Sequence, residues 1–426
     1  MHSRTQGMPV SPGTLLLVTV LLTALLHGAV LLRVWPDPAR FMDQPDSTEY
    51  VTLASNLLDG HGFTLSTRPP YEPDVRRTPV YPAVLAAVFA VAGRSPRTGA
   101  LANLAIWCAT LVVIALGLRR WGTRAAVWAC AWLAVDITSL VYHHLVLTET
   151  LFALLVSGVV SVLALRPRRR STVLLAGVLL GAATLCRPIA VLLGPALLPW
   201  FGWRVWRDGL EPRAALRDYV VLNVVNGVIV LAWVARNLAM AGVMTLSVVG
   251  GVNMYLHRAA HVQAALTGRD VDLVRADLER VFESQTAGMS RRDKVRWLEQ
   301  HGMAVVSAHP AAYVASSTVA LREMLSPDRQ AVFRLLAIDA GSASGGVLLV
   351  TAWLQLLLFY AAVIAGAGVA WRVLEARSMV VLVAVVCAYF MLIGGPEMYA
   401  RFRVPLMPPL ALIAGFAFGP GVRRDS

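Results

Sequence analysis

The sequence predicts an all-α polytopic membrane protein, and three observations carry that expectation. Of 426 residues, 57% are hydrophobic and 15% are charged, with a mean hydropathy of +0.63. That is more apolar surface than one soluble core can bury, so lipid must solvate part of it. The apolar residues are gathered into long runs matching the roughly 20 residues a helix needs to cross a bilayer. Arginines cluster at the ends of those runs instead of forming a basic face.

Taken in order, the runs at 13–35, 99–118, 125–142, 147–165, 171–186, 188–203, 219–240, 345–366, 378–394 and 403–421 give about ten spans. The first is long and has no clear small-residue cleavage site after it, so it reads as a retained span and not a signal peptide. The formal net charge of +13 is topological and does not point to nucleic acid. Arg119, Arg120 and Arg124; Arg166, Arg168, Arg169 and Arg170; Arg204, Arg207, Arg213 and Arg217; Arg372 and Arg377; and Arg423 and Arg424 mark cytoplasmic loops. Spans must alternate between those loops, so residues 79–118 can cross only once. The apolar stretch Pro79 to Gly93 is therefore expected to be a short interfacial or half-inserted helix.

Three regions follow: an amino-terminal membrane module, 1–240, with a first outer loop at 36–98; an outer helical loop, 241–344; and a carboxy-terminal membrane module, 345–426. The positive-inside pattern puts both polar loops on the extracytoplasmic face of a plasma membrane. In the first loop, Pro45-Asp46-Ser47-Thr48-Glu49 opens a helix in which Tyr50, Leu53, Ala54, Leu57 and Leu58 recur at helical spacing and Gly60 closes it. An irregular stretch with Pro69, Pro70 and Pro73 then leads to Arg76-Arg77-Thr78-Pro79. The second loop shows helical patterns near 270–285, 291–306 and 309–324. The four cysteines, Cys108, Cys130, Cys186 and Cys387, lie within apolar runs and read as buried hydrophobes, not disulfides or metal ligands.

Asp46 is the first candidate for chemistry, because a carboxylate fixed at a surface helix start can accept a proton from a hydroxyl. With Glu49 three residues on, the same pair also fits a capping box, and both readings stay open. Glu149 opens a span on the outer side, where a helix amino terminus favours an acid in any case. Asp136 is a weaker candidate nearby. Arg77, Arg187, Arg236, Arg401 and Arg403 lie at outer ends of spans, where the positive-inside rule disfavours them, so they require anionic partners. A lipid phosphate suits guanidinium forks, and so do intramolecular carboxylates. His143 and His144 read as an interfacial pair without ligation. No Walker motif, zinc-peptidase motif or nucleophile elbow occurs, and neither a metal nor a cofactor is expected.

In order along the chain, Asp46-Ser47-Thr48-Glu49-Tyr50, then Leu53 to Phe63, Arg77-Thr78-Pro79-Val80-Tyr81-Pro82, Thr148-Glu149-Thr150-Leu151-Phe152, Leu185-Cys186-Arg187-Pro188, Trp233 to Asn237, and Arg401-Phe402-Arg403-Val404-Pro405 form a pattern. It resembles the bacterial relatives of dolichyl-phosphate-mannose protein mannosyltransferases and aminoarabinose transferases, the GT-C glycosyltransferases. The resemblance implies a GT-C-type transmembrane bundle that moves a sugar, with inversion, from a polyprenyl-phosphate donor to an acceptor on the outer face. It makes Asp46 the general base and Glu149 a second acid, with Arg77, Tyr50, Arg187, Arg236, Arg401 and Arg403 binding substrate. Ser47 stands where many protein mannosyltransferases carry a second acid. Membrane lipid and an unidentified protein, lipid or glycan acceptor are the implied partners. The alternatives are a non-enzymatic transporter or flippase of lipid-linked sugars, and a sensor whose outer loops bind envelope glycans.

Overall fold

The computed structural model describes residues 12–165, 170–339 and 341–418. Arg166, Arg168, Arg169, Arg423 and Arg424 of the topological clusters lie outside the described residues. Those described are 82% helical and contain no strand, as expected where lipid cannot satisfy an open sheet edge. The chain is a multi-pass membrane protein.

The first module runs through α1 (Pro12–Val34), α2 (Pro45–Leu58), α3 (Val80–Ala92), α4 (Pro96–Leu118), α5 (Thr123–Ala134), α6 (Ile137–His144), α7 (Glu149–Ala164), α8 (Arg170–Cys186), α9 (Leu193–Ala196), α10 (Leu198–Asp208) and α11 (Pro212–Ala241). Proline stands in the first turn of α2, α4, α10 and α11, where a missing N–H leaves no bond unmade. Gly209 and Gly242 take the left-handed conformation that ends α10 and α11. The outer loop follows with α12 (Val249–Val252), a π-helical turn at Asn253–Ala259, α13 (Ala260–Thr267), α14 (Val271–Gln285), α15 (Arg291–Ala308), α16 (Pro310–Met324) and α17 (Arg329–Leu336). The last module is α18 (Ala343–Arg372), α19 (Leu374–Gly394) and α20 (Met407–Ala414), with a 3-10 segment at Ala400–Leu406 leading into α20.

Among the described residues, seven helical stretches are long and apolar enough to cross a membrane, and nine if each of two bent pairs is one span. The expected set of about ten comprises these seven, the bent pair at 123–144 and two shorter apolar helices, α7 and α8. The 125–142 run is the bent pair α5–α6, broken by 69°, while α7 and α8 are only 16 and 17 residues long. For α7 the length has a physical reason. α7 is buried along nearly its whole length and packs on α4 and α8, so protein and not lipid sets its length. α8 in turn approaches α11 closely: a Cβ on Gly177 or Gly181 would come within 2.8 Å of Val225 or Ile229, the close contact that small residues permit between membrane helices.

The segment 79–93 forms α3, whose 13 residues extend about 20 Å, too short to span. The outer-loop helices fall where periodicity put them, and they hold a small core of their own around Tyr255, Val274, Leu278 and Leu298. His143 and His144 are not interfacial. Both are 1% exposed, stacked with His27 inside the bundle, because the break at Asp136 turns α6 inward.

Candidate active site

α2 begins one residue before Asp46, with Gln44 at its N-cap making no side-chain cap bond. Asp46 is therefore not a cap. One carboxylate oxygen takes Arg77 Nη2 at 2.5 Å and the other takes Arg401 Nη2 at 3.1 Å. Glu49, one turn on, pairs with Arg77 Nε and, at 3.1 Å, with Arg76, so the residues of the capping-box pattern are spent on arginines. Glu149, in the first turn of α7, is fully buried and pairs with both Arg187 and Arg401. Arg401 thus bridges the carboxylates of α2 and α7 from the turn before α20.

Four guanidiniums face three carboxylates in this cluster, which leaves it one net positive charge. Burial by itself would raise the pKa of Asp46, but Arg401 and Arg77 outweigh it and hold the carboxyl at about 2. A depressed carboxylate contributes stability above its ordinary value and loses it as pH falls through the lowered one. The melting-temperature gap between the native chain and Asp46→Asn is accordingly expected to be full above about pH 4 and to close toward pH 2. A gap unchanged across that range would remove the two ion pairs from the fold's stability.

The cluster opens into a cavity of about 510 Å³. Asp46, Tyr50 and Arg77 line it from the first loop, Cys186 and Arg187 from the end of α8, and Glu397, Tyr399 and Arg401 from the segment before α20. The Tyr50 ring lies under Arg77, 5.2 Å from the guanidinium carbon to the ring centroid, and edge-on to Tyr81. A fourth wall went unanticipated from the sequence: Asn253, Met254, His257 and Arg258 of the π-turn. Arg258 anchors that turn, donating to the Ile393 carbonyl at 2.6 Å and to Glu397 at 3.1 Å. Burial first, then Arg275 nearby, pushes His257 down to about 4, so its ring is neutral at neutral pH. No motif marks this wall; the only local signal is the polar set at 253, 257 and 258 beside Gly250-Gly251.

Three of the sequence candidates, Arg236, Arg403 and Asp136, lie apart from the cavity. Arg236 donates to the Asp74 and Phe63 carbonyls, at 2.6 and 3.3 Å, and stacks against Trp233, which ties α11 to the irregular first loop. Arg403 is 1% exposed, donates to the Met324 and Ser326 carbonyls at 2.8 and 2.6 Å and lies 4.0 Å from the buried Asp136 carboxylate, which ties the last span to the end of α16 and the start of α6. Arg403→Met is expected to cost at least about 1–3 kcal/mol in an unfolding titration, since two buried carbonyls lose their donor and the buried Asp136 carboxylate loses its charge partner. A neutral result would mean the two carbonyls find other donors. Asp136 caps α6 by accepting from Ser139 N–H at 3.0 Å. No group of three or more His, Cys, Asp or Glu able to hold a metal ion occurs among the described residues.

By sequence, no family model and no curated protein matches the chain. By structure it is similar to the oligosaccharyltransferase of Archaeoglobus fulgidus in its apo form, with a TM-score of 0.53 and 14% identity over 95% of this chain and 50% of that one. It is equally similar to the same archaeal enzyme, AglB, in complex with an inhibitory peptide and a dolichol-phosphate, with a TM-score of 0.51 and 13% identity over 94% and 50% of the two chains. ArnT from Cupriavidus metallidurans aligns over 93% of this chain and 77% of its own at 15% identity, but its TM-score of 0.37 is too loose to define a fold. The chain spans about half the length of the oligosaccharyltransferase it matches. Its helices adopt the GT-C membrane fold that the ordered motifs resemble.

Proposed function

We propose that the chain is a glycosyltransferase that moves a sugar from a polyprenyl-phosphate donor to an acceptor hydroxyl, inverting the anomeric carbon, at the extracytoplasmic face of the plasma membrane. The observation that carries this reading is the Asp46 carboxylate held between Arg77 and Arg401 at the wall of a large cavity. The single net positive charge of the cluster complements a phosphodiester, which carries one negative charge.

In this scheme the acceptor oxygen attacks the anomeric carbon while its proton passes to Asp46. The anomeric carbon–oxygen bond breaks, and its electron pair leaves on the phosphate. Charge on that phosphate grows toward two, and Arg77, Arg187 and Arg401 stand where guanidiniums can stabilise it. Held by two arginines, Asp46 is a weak base in the free chain. A phosphate that draws Arg77 and Arg401 toward itself strengthens that base at the moment the donor is bound. Glu149 is the counter-charge that keeps Arg187 and Arg401 in place.

The decisive experiment gives the chain, in lipid nanodiscs, undecaprenyl phosphate carrying mannose, glucose or arabinose together with envelope extract. Mass spectrometry then follows release of free undecaprenyl phosphate. Sugar-dependent release with a glycosylated product supports the proposal. No release, together with flipping of the same lipids across vesicle bilayers, would replace it with the transporter reading. Against transport, the ionisable groups of the cavity gather near helix ends and not at the middle of broken spans.

A further inference from the structure

The cavity has two chemically different halves. One holds the paired guanidiniums and carboxylates already described. The other is formed by the π-turn of the second loop, where Asn253 and His257 are uncharged, and Tyr50, whose ring lies under Arg77, stands at the border between the two. The Asn253 amide, the His257 ring and the Tyr50 hydroxyl all line the cavity, and none makes a hydrogen bond to another described residue. Tyr50 is 6% exposed as a residue and borders the cavity, where water or a ligand can partner its hydroxyl.

The backbone is shaped for this presentation. In a π-turn the repeat falls between four and five residues, so positions 253, 257 and 258 face the same side, which an α-helix would splay apart; such turns are frequent at functional sites. Arg258 adds no net charge to this half, because Glu397 pairs with it at 3.1 Å. Each of the three free groups can both give and take a hydrogen bond: an amide, a neutral imidazole and a phenol. A ligand with several hydroxyls satisfies all of them, whereas an anion satisfies only their donors.

We infer that Asn253, His257 and the Tyr50 hydroxyl form a subsite for an uncharged, polyhydroxylated ring, seated beside the arginine cluster. The inference rests on the glycosyl-transfer reading and extends it to the second outer loop, which becomes a specificity element and not only a cover. The ring belongs either to the donor sugar or to a saccharide acceptor, and the binding chemistry is the same for both.

The test measures binding of undecaprenyl phosphate, of the same lipid carrying mannose, glucose, galactose or arabinose, and of the matching methyl glycosides, to the full chain in nanodiscs. The variants are Asn253→Leu, His257→Leu, Tyr50→Phe and the conservative His257→Gln, each first checked for an unchanged melting temperature. The native chain is expected to bind one sugar-linked lipid or one glycoside with a preference of about tenfold or more over its congeners or over bare lipid, the worth of one or two hydrogen bonds. His257→Leu and Asn253→Leu are expected to erase that preference while bare-lipid affinity stays within about twofold, and His257→Gln to restore part of it. Loss of preference among the linked lipids assigns the ring to the donor; loss confined to the free glycosides assigns it to the acceptor. Retention of every preference in the leucine variants overturns the subsite, and so does a parallel loss of bare-lipid binding, which would mark the positions as structural. A native chain that binds no bare undecaprenyl phosphate fails at the earlier step, and the transfer reading falls with it.

Discussion

Asp46→Asn is expected to lower sugar transfer by about 10²- to 10⁴-fold, the contribution of a positioned general base. The amide keeps the shape of the carboxylate but cannot accept the acceptor's proton. The fold survives the change, because Arg77 keeps Glu49 and Arg401 keeps Glu149. The two guanidiniums are meanwhile released from one competitor, so the variant should bind bare undecaprenyl phosphate at least as tightly as the native chain. This split between turnover and donor affinity separates a base from a residue that merely holds the arginines in place. Single-turnover transfer measured beside lipid binding reads both quantities, and normal transfer by the variant would remove Asp46 from the chemistry.

Glu149→Gln should act mainly on stability. Its side chain is 0% exposed, and its two partners, Arg401 and Arg187, are 9% and 17% exposed. Removing one member of a buried ion network leaves uncompensated charge in a poor solvent and typically costs about 3–5 kcal/mol. If Glu149 served only as an acid matched to the α7 dipole, the loss would be about 0.3–1 kcal/mol. The exposed pair Arg94–Asp59, with side chains 44% and 40% exposed, is the internal comparison, since water screens such a pair and breaking it costs little. Denaturant titration of Glu149→Gln against Asp59→Asn ranks the two. Equal small losses would show that Arg187 and Arg401 do not depend on Glu149.

The architecture was legible because its causes are local or additive. Hydropathy located the spans, proline and glycine marked their ends, and helical spacing found α2, α14, α15 and α16 within a residue or two of their bounds. Parity correctly kept 79–93 out of the span count, since α3 is too short to cross. The runs at 147–165 and 171–186 form α7 and α8, the shorter apolar helices. The reading failed at His143 and His144, which a bend of 69° between α5 and α6 carries into the bundle.

By itself, the sequence determined that this chain is a helical membrane protein, that acids and arginines of unusual placement gather at the ends of its spans, and that Asp46 and Arg77 belong to one loop. Only the tertiary structure decided which charge meets which. Arg401 reaches Asp46 across 355 positions and Glu149 across 252, while Arg236 ends on backbone carbonyls and Arg403 on carbonyls beside the Asp136 carboxylate. The reason is physical: a charge taken out of water must find a partner, but every arginine can satisfy that demand with a carboxylate, a carbonyl or a ligand phosphate. The sequence states the demand, and packing chooses among the partners. The same holds for the π-turn, whose polar side chains meet the site only where the second loop folds back over the cavity that α2, α8 and the last span enclose.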